Sequence, residues 1–441
     1  MIDDRFPRCW PRGPAPSRLL AMLVLTWTSA AALPAKAQAP PLDVDACVRL
    51  ALDANPDYRA RRVALEATQA DLTVARAARY PSLALSASAA RFNNGELGAQ
   101  DRYNVGVSLQ QILYRGGRVA AQVDAAKWTL AEGEGVVNAA RADLVLAVRS
   151  AWYQTAQAER MVRSAEEGLG SSQLNLDYAE AQLAAGLGTR PDVLRARVDV
   201  SAAELELTRA RNELEGAKAT LNTLMGQPPD ALLEIVSDTT DEALPPLPTW
   251  EELRLSAMES REEIRAARAR TERQQAGVRL ARGAFFPALI ADANLSRGEN
   301  GLASARENWS VGLGFSLPIF EGFARKADLR GQQALLEATR FDEQAVVQEI
   351  EREVWQALLG EDESARRLEN ARALFAAAQE NLEAAQTAYR QGLGSMIALV
   401  DARTAFTGAE QTLIQALYDR RIARAVLDRV TGSDIIEGDR S

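Results

Sequence analysis

The chain has no histidine among its 441 residues and only two cysteines. Without histidine, Ser-His and Cys-His nucleophile systems and histidine-ligated metal sites are excluded. No Walker-type phosphate loop occurs, and the formal net charge of −9 at pH 7 argues against a nucleic-acid partner. The composition therefore predicts a protein that is not an enzyme and that needs no cofactor or metal.

Long apolar runs are also lacking. Residues 1–37 combine four arginines, an apolar stretch over residues 19–33 and the small-x-small pattern Ala35-Lys36-Ala37, which together predict a cleaved export signal. Beyond it, no run approaches the roughly 18 apolar residues of a spanning helix. Cys9 would be lost with the signal, so no intrachain disulfide could form, and the apolar helical pattern around Cys47 predicts a core residue.

What the sequence does have is an internal repeat at a spacing of 206 residues. The recurring motifs are Tyr80-Pro81-Ser82-Leu83 and Phe286-Pro287-Ala288-Leu289, Tyr114-Arg115-Gly116 and Phe320-Glu321-Gly322, and Gly226 and Gly432. This spacing predicts repeat 1 at 38–226, a proline-rich linker at 227–249, repeat 2 at 250–432 and a C-terminal tail at 433–441. Two tandem copies of one structural unit are therefore expected.

Each repeat contains a segment in which apolar residues alternate with small polar ones. The segments at 82–113 and 288–319 each predict a β-hairpin, with strands of about ten residues, the length of a membrane-spanning strand. The aromatic residues at the strand ends are typical of membrane interfaces. We expect one face toward lipid and one toward a lumen, although two soluble hairpins are an alternative. The lipid-facing set is Leu85, Val107, Leu313 and Phe315, and the lumen-facing set is Ser86, Ser108, Gly312 and Ser316.

The rest of each repeat predicts long helices. Residues 43–78 read as one helix, and about 68 residues before Gly186 read as another, roughly 100 Å long. Apolar residues follow one another at steps of three and four, the pattern of a coiled coil. In the last helix only Arg420 interrupts this seam, and the cluster Glu361–Glu363 is expected on a solvated helix face.

Short glycine turns require the helices that they join to be antiparallel. The helices at 189–225 and 250–282 have together about the same length as the uninterrupted helix before Gly186. We therefore expect these two shorter helices to lie end to end beside that long helix. Four strands cannot close a barrel, and an open sheet edge in lipid leaves backbone groups unpaired. The chain is therefore expected to oligomerise.

The chain resembles the TolC family of outer-membrane efflux and secretion ducts over nearly all of its length after the signal. The order and spacing of several motifs carry the resemblance. These motifs are Ala54-Asn55-Pro56, Tyr80-Pro81, Ile319-Phe320-Glu321-Gly322, the turns Ala185–Thr189 and Gln391–Ser395, and Leu399-Val400-Asp401-Ala402-Arg403.

The resemblance implies a mainly α protein with membrane β-strands. Long antiparallel coiled-coil helices would form a periplasmic α-barrel, and four β-strands per chain would contribute to a shared, trimeric, 12-stranded outer-membrane β-barrel. It also implies a homotrimer in outer-membrane lipid that docks a periplasmic membrane-fusion adaptor protein and an inner-membrane RND or ABC transporter.

The resemblance implies a periplasmic gate as well, with Asp401 and Asp192 as its candidates. The second acidic position of the family's gate is Ala398 here, and Gly394 replaces an arginine that locks the mouth in well-known members, so a less tight lock is expected. The tips expected to dock the adaptor are Gly186, Leu187, Gly188 and Thr189, with Gly392, Leu393, Gly394 and Ser395.

The leading functional prediction is a passive exit duct of a tripartite efflux pump or of a type I secretion system. A periplasmic coiled-coil scaffold without a pore is the alternative, and an enzyme is a distant third. The sequence leaves open whether drugs, metal ions or a protein would pass.

Overall fold

The computed structural model describes residues 42–94, 98–236, 246–300 and 303–433. The expected signal at 1–37 lies outside these ranges, as do parts of the expected linker and tail. Among the described residues, no helix has both the length and the apolar character needed to cross a membrane.

Helices dominate the chain, and two hairpins interrupt them. The elements in chain order are α1 (Val44–Ala54), α2 (Pro56–Ala77), β1 (Ser82–Asn94), β2 (Gly98–Arg115), α3 (Arg118–Ala184), α4 (Arg190–Leu224), α5 (Trp250–Ser260), α6 (Glu262–Gly283), β3 (Ala288–Asn300), β4 (Ala303–Ser316), α7 (Ala324–Arg390) and α8 (Met396–Thr431). α3 packs along α4 and α6, and α7 packs along α8 and α6. α3 and α7 each have 67 residues, which corresponds to about 100 Å.

The helix expected over 43–78 is broken in two, which corrects the prediction from the sequence. Asn55 has an extended backbone (ψ 121°), ends α1 and begins α2, and its side chain accepts a hydrogen bond from the Tyr58 N–H at 3.0 Å. Pro56 follows at the first helical position, where its missing N–H costs nothing. The helix expected over 250–282 is broken in the same way at Arg261, which also has ψ 121°.

Each half of the chain has its own core, and the same positions build both. Ala51, Leu144, Val148 and Leu221 are buried together in the first half. Their counterparts 206 residues later are buried together in the second half: Ala257, Ile350, Val354 and Leu427. The fully buried Cys47 belongs to the first core, as the sequence predicts. Duplicated positions therefore do the same packing in both copies.

The four strands form one antiparallel sheet in the order β1-β2-β3-β4. Directly paired residues lie on the same face of a sheet, so the pairing defines rows that run across it. One such row is Leu85, Val107, Leu295 and Trp309, and the adjacent row is Ser86, Gly106, Ser296 and Asn308. The sheet therefore has one apolar face and one face of small or polar residues. The outer edges of β1 and β4 pair with no other described strand.

Candidate functional site at the helical hairpin tips

Two helical hairpins end in turns with the same backbone geometry. Gly186, between α3 and α4, has φ 73°, and Gly392, between α7 and α8, has φ 72°. In the first turn the N–H groups of Leu187 and Gly188 both donate to the Gln182 carbonyl, at 2.9 and 3.0 Å. Leu393 and Gly394 bond the carbonyl of Ala388 in the same way. A left-handed residue that turns the chain back onto the last carbonyls is the usual glycine-dependent end of a helix.

Each turn exposes one leucine. Leu187 and Leu393 are both 82% exposed. A single exposed leucine is ordinary on a protein surface, so the informative feature is that both turns present one at the same place. Their identical placement on two tips therefore gives the molecule a pair of apolar projections that a partner could cover.

The two turns differ at the start of the following helix. In α4, Thr189 and Asp192 form a reciprocal cap, in which the Asp192 carboxylate accepts from the Thr189 N–H at 3.2 Å and from its hydroxyl at 2.5 Å. In α8, the Ser395 hydroxyl accepts a hydrogen bond from the Ala398 N–H at 3.2 Å. Ala398 has no side-chain acceptor for the Ser395 N–H, so this cap is not reciprocal. The expected gate residue Asp192 is thus already engaged in capping its helix.

Next to the turns, on the side of the helices, the two hairpins share a small hydrophobic core. Ala179 of α3 and Val193 of α4 are buried there with Tyr389, Met396 and Leu399 of the other hairpin. Burial, together with the nearby Asp192 carboxylate and Tyr178, raises the pKa of the Tyr389 phenol. The tips are therefore held side by side within one chain.

Asp401 lies on the exposed part of α8, close to this shared core. Within the described ranges, no hydrogen bond or ion pair joins it to Asp192 or to another side chain. Its carboxylate is therefore free to face a neighbouring chain or a cation. The structure does not bring the two expected gate carboxylates into one contact.

Further from the tips, polar bonds connect the hairpins. The Ser164 hydroxyl of α3 donates to Glu410 of α8 at 2.5 Å, and the Gln411 amide of α8 donates to Glu206 of α4 at 3.2 Å. Arg403 of α8 donates to the Gly168 carbonyl of α3. Sequence reasoning missed these links because each joins residues that are far apart in the chain.

Arg403 is the most unusual member of this set. Arg403 is 8% exposed, and its Nη1 has no hydrogen-bond partner in the described part of the chain. Burial lowers the pKa of its guanidinium, and Asp199 opposes that shift. A cavity of about 320 Å³ lies beside it, between α3, α4 and α8. One buried guanidinium nitrogen in the link between the hairpins is therefore unpaired, and an unpaired buried polar group is costly.

The expectation that Glu361 lies on a solvated face is wrong. Glu361 is 1% exposed, and its carboxylate lies 3.7 Å from Nε of Arg420, the residue that interrupts the seam of α8. Glu361 falls at the spacing of the buried positions of α7, with Val354, Ala357 and Leu368. The charged residue that interrupts the apolar seam of α8, Arg420, thus faces a carboxylate in the seam of α7, Glu361. Comparing the apolar seams of the two helices in the sequence could have found this pair.

Long antiparallel helical hairpins, joined to a sheet with one continuous apolar face, define a channel-type protein of the outer membrane. The chain belongs to the outer membrane efflux protein family, whose model matches residues 47–227 and 253–433. The second match begins and ends 206 residues after the first, at the spacing of the internal repeat.

Individual relatives agree with this assignment. The chain is 29% identical over 455 residues to the outer membrane protein OprJ of Pseudomonas aeruginosa, covering 96% of this chain and 93% of OprJ. It is 25% identical to the toluene efflux pump outer membrane protein TtgC of Pseudomonas putida, covering 92% and 85%. A crystal structure of a membrane protein from Pseudomonas aeruginosa superposes with a TM-score of 0.77 at 26% identity, covering 88% and 90%.

These comparisons confirm the resemblance to TolC-family ducts, the predicted fold class and the outer-membrane location. The docking partners of the chain and the residues of its gate stay predictions.

Proposed function

We propose that three copies of this chain form a passive exit duct for a tripartite efflux pump, with no catalytic step. The observation that carries this proposal is the four-stranded sheet, which has one apolar face and two open edges. The apolar face suits lipid, and the edges demand further strands, because unpaired backbone groups are costly in a membrane. The long hairpins would then extend from the sheet into the periplasm as a tunnel.

We further propose that the tips dock a periplasmic adaptor, which connects the duct to an inner-membrane RND or ABC transporter. Leu187 and Leu393 support this, since both are exposed on narrow glycine turns. Efflux is favoured over type I secretion because the names of the matching family and of the relative TtgC both refer to efflux. In this proposal Asp401, with a lesser part for Asp192, lines the periplasmic mouth.

The decisive experiment separates the pore from the docking. The purified protein is reconstituted in planar bilayers, and export is measured as drug tolerance of an efflux-deficient strain carrying the gene. We expect wild type to conduct and to restore tolerance. The double variant Leu187→Asp/Leu393→Asp should conduct equally and restore nothing.

The matched control is Leu205→Asp, which changes an exposed leucine of α4 several helical turns from the tip and should keep both activities. A protein that leaves the membrane fraction on washing without detergent, and that shows no conductance, would support the scaffold instead. Full export by the double tip variant would overturn the docking role while leaving the pore intact.

A further inference from the structure

Basic residues are concentrated at one end of the sheet. Four junction segments join the strands to the helices there, at 76–82, 114–120, 282–288 and 316–326. They contain seven arginines and lysines and one glutamate, a net charge of +6, although the whole chain carries −9. At the opposite end of the sheet, the strand ends and loops at 91–102 and 297–307 contain four basic and four acidic residues. The excess of positive charge is therefore confined to the end that leads into the helices.

Most of the cations in the junction segments have no acidic partner. Arg325 pairs with Glu321 at 3.0 Å. Within the described ranges no ion pair reaches the other six, and all but the half-buried Arg118 are exposed: Arg76, Arg79, Arg115, Arg118, Arg282 and Lys326. At the opposite end of the sheet the charges do pair, as Arg91 with Asp101 at 3.6 Å. Unbalanced cations that share one surface attract an anionic partner.

Large apolar side chains are exposed among these cations. They are Tyr80, Phe286, Ile319, Phe320 and Phe323, of which Ile319 is 91% exposed. The apolar face of the sheet reaches the same level, because Tyr114 pairs with Leu289 and Leu289 pairs with Phe315. The junction segments therefore combine positive charge with apolar surface that continues the apolar face of the strands.

Phe323 is held in an unfavourable backbone conformation. Its φ of 66° lies in the left-handed region, where every other described residue is a glycine. Its counterpart 206 residues earlier is Gly117, with φ 75°, and glycine adopts this conformation without strain. Phe323 is 74% exposed, and its ring lies 5.5 Å from the Phe320 ring, which is exposed as well. Packing within the single chain therefore does not offset the strain, whereas insertion into a lipid interface would.

The starts of two long helices agree with an anionic partner. α3 and α7 have neither a side-chain cap nor an acidic residue in the first turn, whereas each of the other six described helices has at least one of the two. Cations stand in these first turns instead, Arg118 in α3 and Arg325 and Lys326 in α7. Because the start of a helix favours negative charge, an anion held by the junction cations would supply what both helices lack.

We infer that the junction segments bind the anionic headgroups of phospholipids in the leaflet on the helix side of the bilayer. Six of the seven cations are arginines, whose guanidinium groups can donate two parallel hydrogen bonds to one phosphate. A lipid accounts for both the cations and the exposed rings, whereas free phosphate accounts for the cations alone. The inference rests on the proposed function, in which the strands span the membrane, and adds the class of lipid that the protein selects.

Lipid retention tests the charges. The detergent-solubilised protein is incubated with equal amounts of phosphatidylglycerol and phosphatidylethanolamine that carry the same acyl chains, and the lipid retained after washing is identified by mass spectrometry. We expect wild type to retain about tenfold more of the anionic lipid, since each arginine near an anionic headgroup contributes to binding. Arg79→Gln/Arg115→Gln/Arg282→Gln should lose most of this preference.

The matched control removes three arginines from the opposite end of the sheet. Arg91→Gln/Arg297→Gln/Arg306→Gln should keep the preference of wild type. An equal loss in both triple variants would overturn the inference, because the preference would then follow overall charge. Displacement of the anionic lipid by inorganic phosphate at equal concentration would overturn it too. Wild type that conducts in planar bilayers without a lipid preference overturns this inference alone, whereas wild type that does not conduct overturns the proposed duct.

A fluorescent label tests the position of Phe323. Phe323→Cys carries a small dye in vesicles of brominated phosphatidylglycerol, and Leu393→Cys, just beyond the other end of α7, carries the same dye as the control. Cys47 stays unlabelled because it is fully buried. We expect the bromine atoms to quench the label at position 323 and to leave the label at position 393 unchanged. Equal signals from the two positions in vesicles that conduct would show that Phe323 does not meet lipid.

The strain at Phe323 gives an independent measurement. Phe323→Gly restores the residue type of the first repeat, so in detergent it should unfold at the same temperature as wild type or at a higher one. Adding phosphatidylglycerol should raise the unfolding temperature less in this variant than in wild type, because the exposed ring is gone. An equal rise in both proteins would remove Phe323 from the lipid-binding surface.

Discussion

Asn55 and Arg261 hold equivalent positions in the two halves, and each donates a side-chain hydrogen bond to an equivalent carbonyl. The Asn55 amide bonds Leu224 O at 3.0 Å, and the Arg261 guanidinium bonds Val430 O at 3.2 Å. Both residues tie the break between two short helices to the end of a helical hairpin. Arg261 also bonds Glu263 and Glu353, each at 2.9 Å.

Because Arg261 makes ionic bonds that Asn55 lacks, we expect truncation of the two side chains to lower the free energy of unfolding by different amounts. Asn55→Ala loses a helix cap and one hydrogen bond, which should cost about 1–2 kcal/mol. Arg261→Ala removes a buried cation from Glu353 and from Glu263, of which Glu263 keeps Arg429, and should cost about 3 kcal/mol, the low end for breaking a buried ion pair. Thermal unfolding of the detergent-solubilised protein measures both. Equal shifts would mean that the ionic bonds of Arg261 contribute little.

The same network predicts acid sensitivity. Burial alone would raise the pKa of the Glu263 carboxyl, but hydrogen bonds from Arg261 and Arg429 outweigh it and lower the pKa from 4.5 to about 2. A carboxylate whose pKa falls on folding stabilises the folded state above the unfolded pKa, and this stability is lost as the pH falls from there toward 2.

The contribution at neutral pH is at most about 3 kcal/mol. We expect the unfolding temperature of wild type to fall between pH 5 and pH 2, and the fall to be smaller in Glu263→Gln, which is already destabilised at pH 7. Parallel pH profiles of the two proteins would contradict this role for Glu263.

The buried pair of Glu361 and Arg420 predicts a rescue. Arg420→Met removes the cation near a carboxylate that is 1% exposed, and should destabilise by about 3–5 kcal/mol. Adding Glu361→Leu removes the stranded charge and should restore wild-type stability or exceed it. A double-mutant cycle of unfolding free energies measures the coupling. Additive effects would show that the two side chains do not interact.

The proposed gate predicts a change in ion selectivity. Copies of Asp401 that converge at the mouth would attract cations, because like charges at close range favour a counter-ion. Asp401→Ala should reduce cation preference and block by divalent ions in planar bilayers. Asp192→Ala serves as the comparison, since that carboxylate is engaged by Thr189 and its loss should chiefly weaken the start of α4. Identical recordings from wild type and Asp401→Ala would remove Asp401 from the gate.

The two faces of the sheet predict opposite tolerance to charge. Leu313 belongs to the apolar face and Ser316 to the other face. Leu313→Arg should cost about 2–4 kcal/mol if it meets lipid near the midplane, and Ser316→Arg much less. Yield of heat-modifiable protein in outer-membrane fractions provides the measurement. Equal yields would mean that the strands do not span the bilayer as proposed.

Local patterns were sufficient for the parts of the fold that depend on periodicity. The strands, the two turns at Gly186 and Gly392, and the helix seams follow from neighbouring residues. The break at Asn55 had a visible signal, since a proline restricts the residue before it. The break at Arg261 has no such local signal, because its bonds to Val430 and Glu353 join distant parts of the chain, and only its position 206 residues after Asn55 indicates it. Arg403 could not be placed for the same reason, since its acceptor is 235 residues away.

The open edges of β1 and β4 also constrain how the protein matures. A single copy that entered the bilayer would bring two rows of unpaired backbone groups with it, at several kcal/mol for each group. Insertion of isolated chains is therefore disfavoured, and in the proposed assembly we expect copies to meet before or during entry. The yield of mature channel should then rise more steeply than in proportion to the amount of chain exported, and its measured stability should depend on concentration.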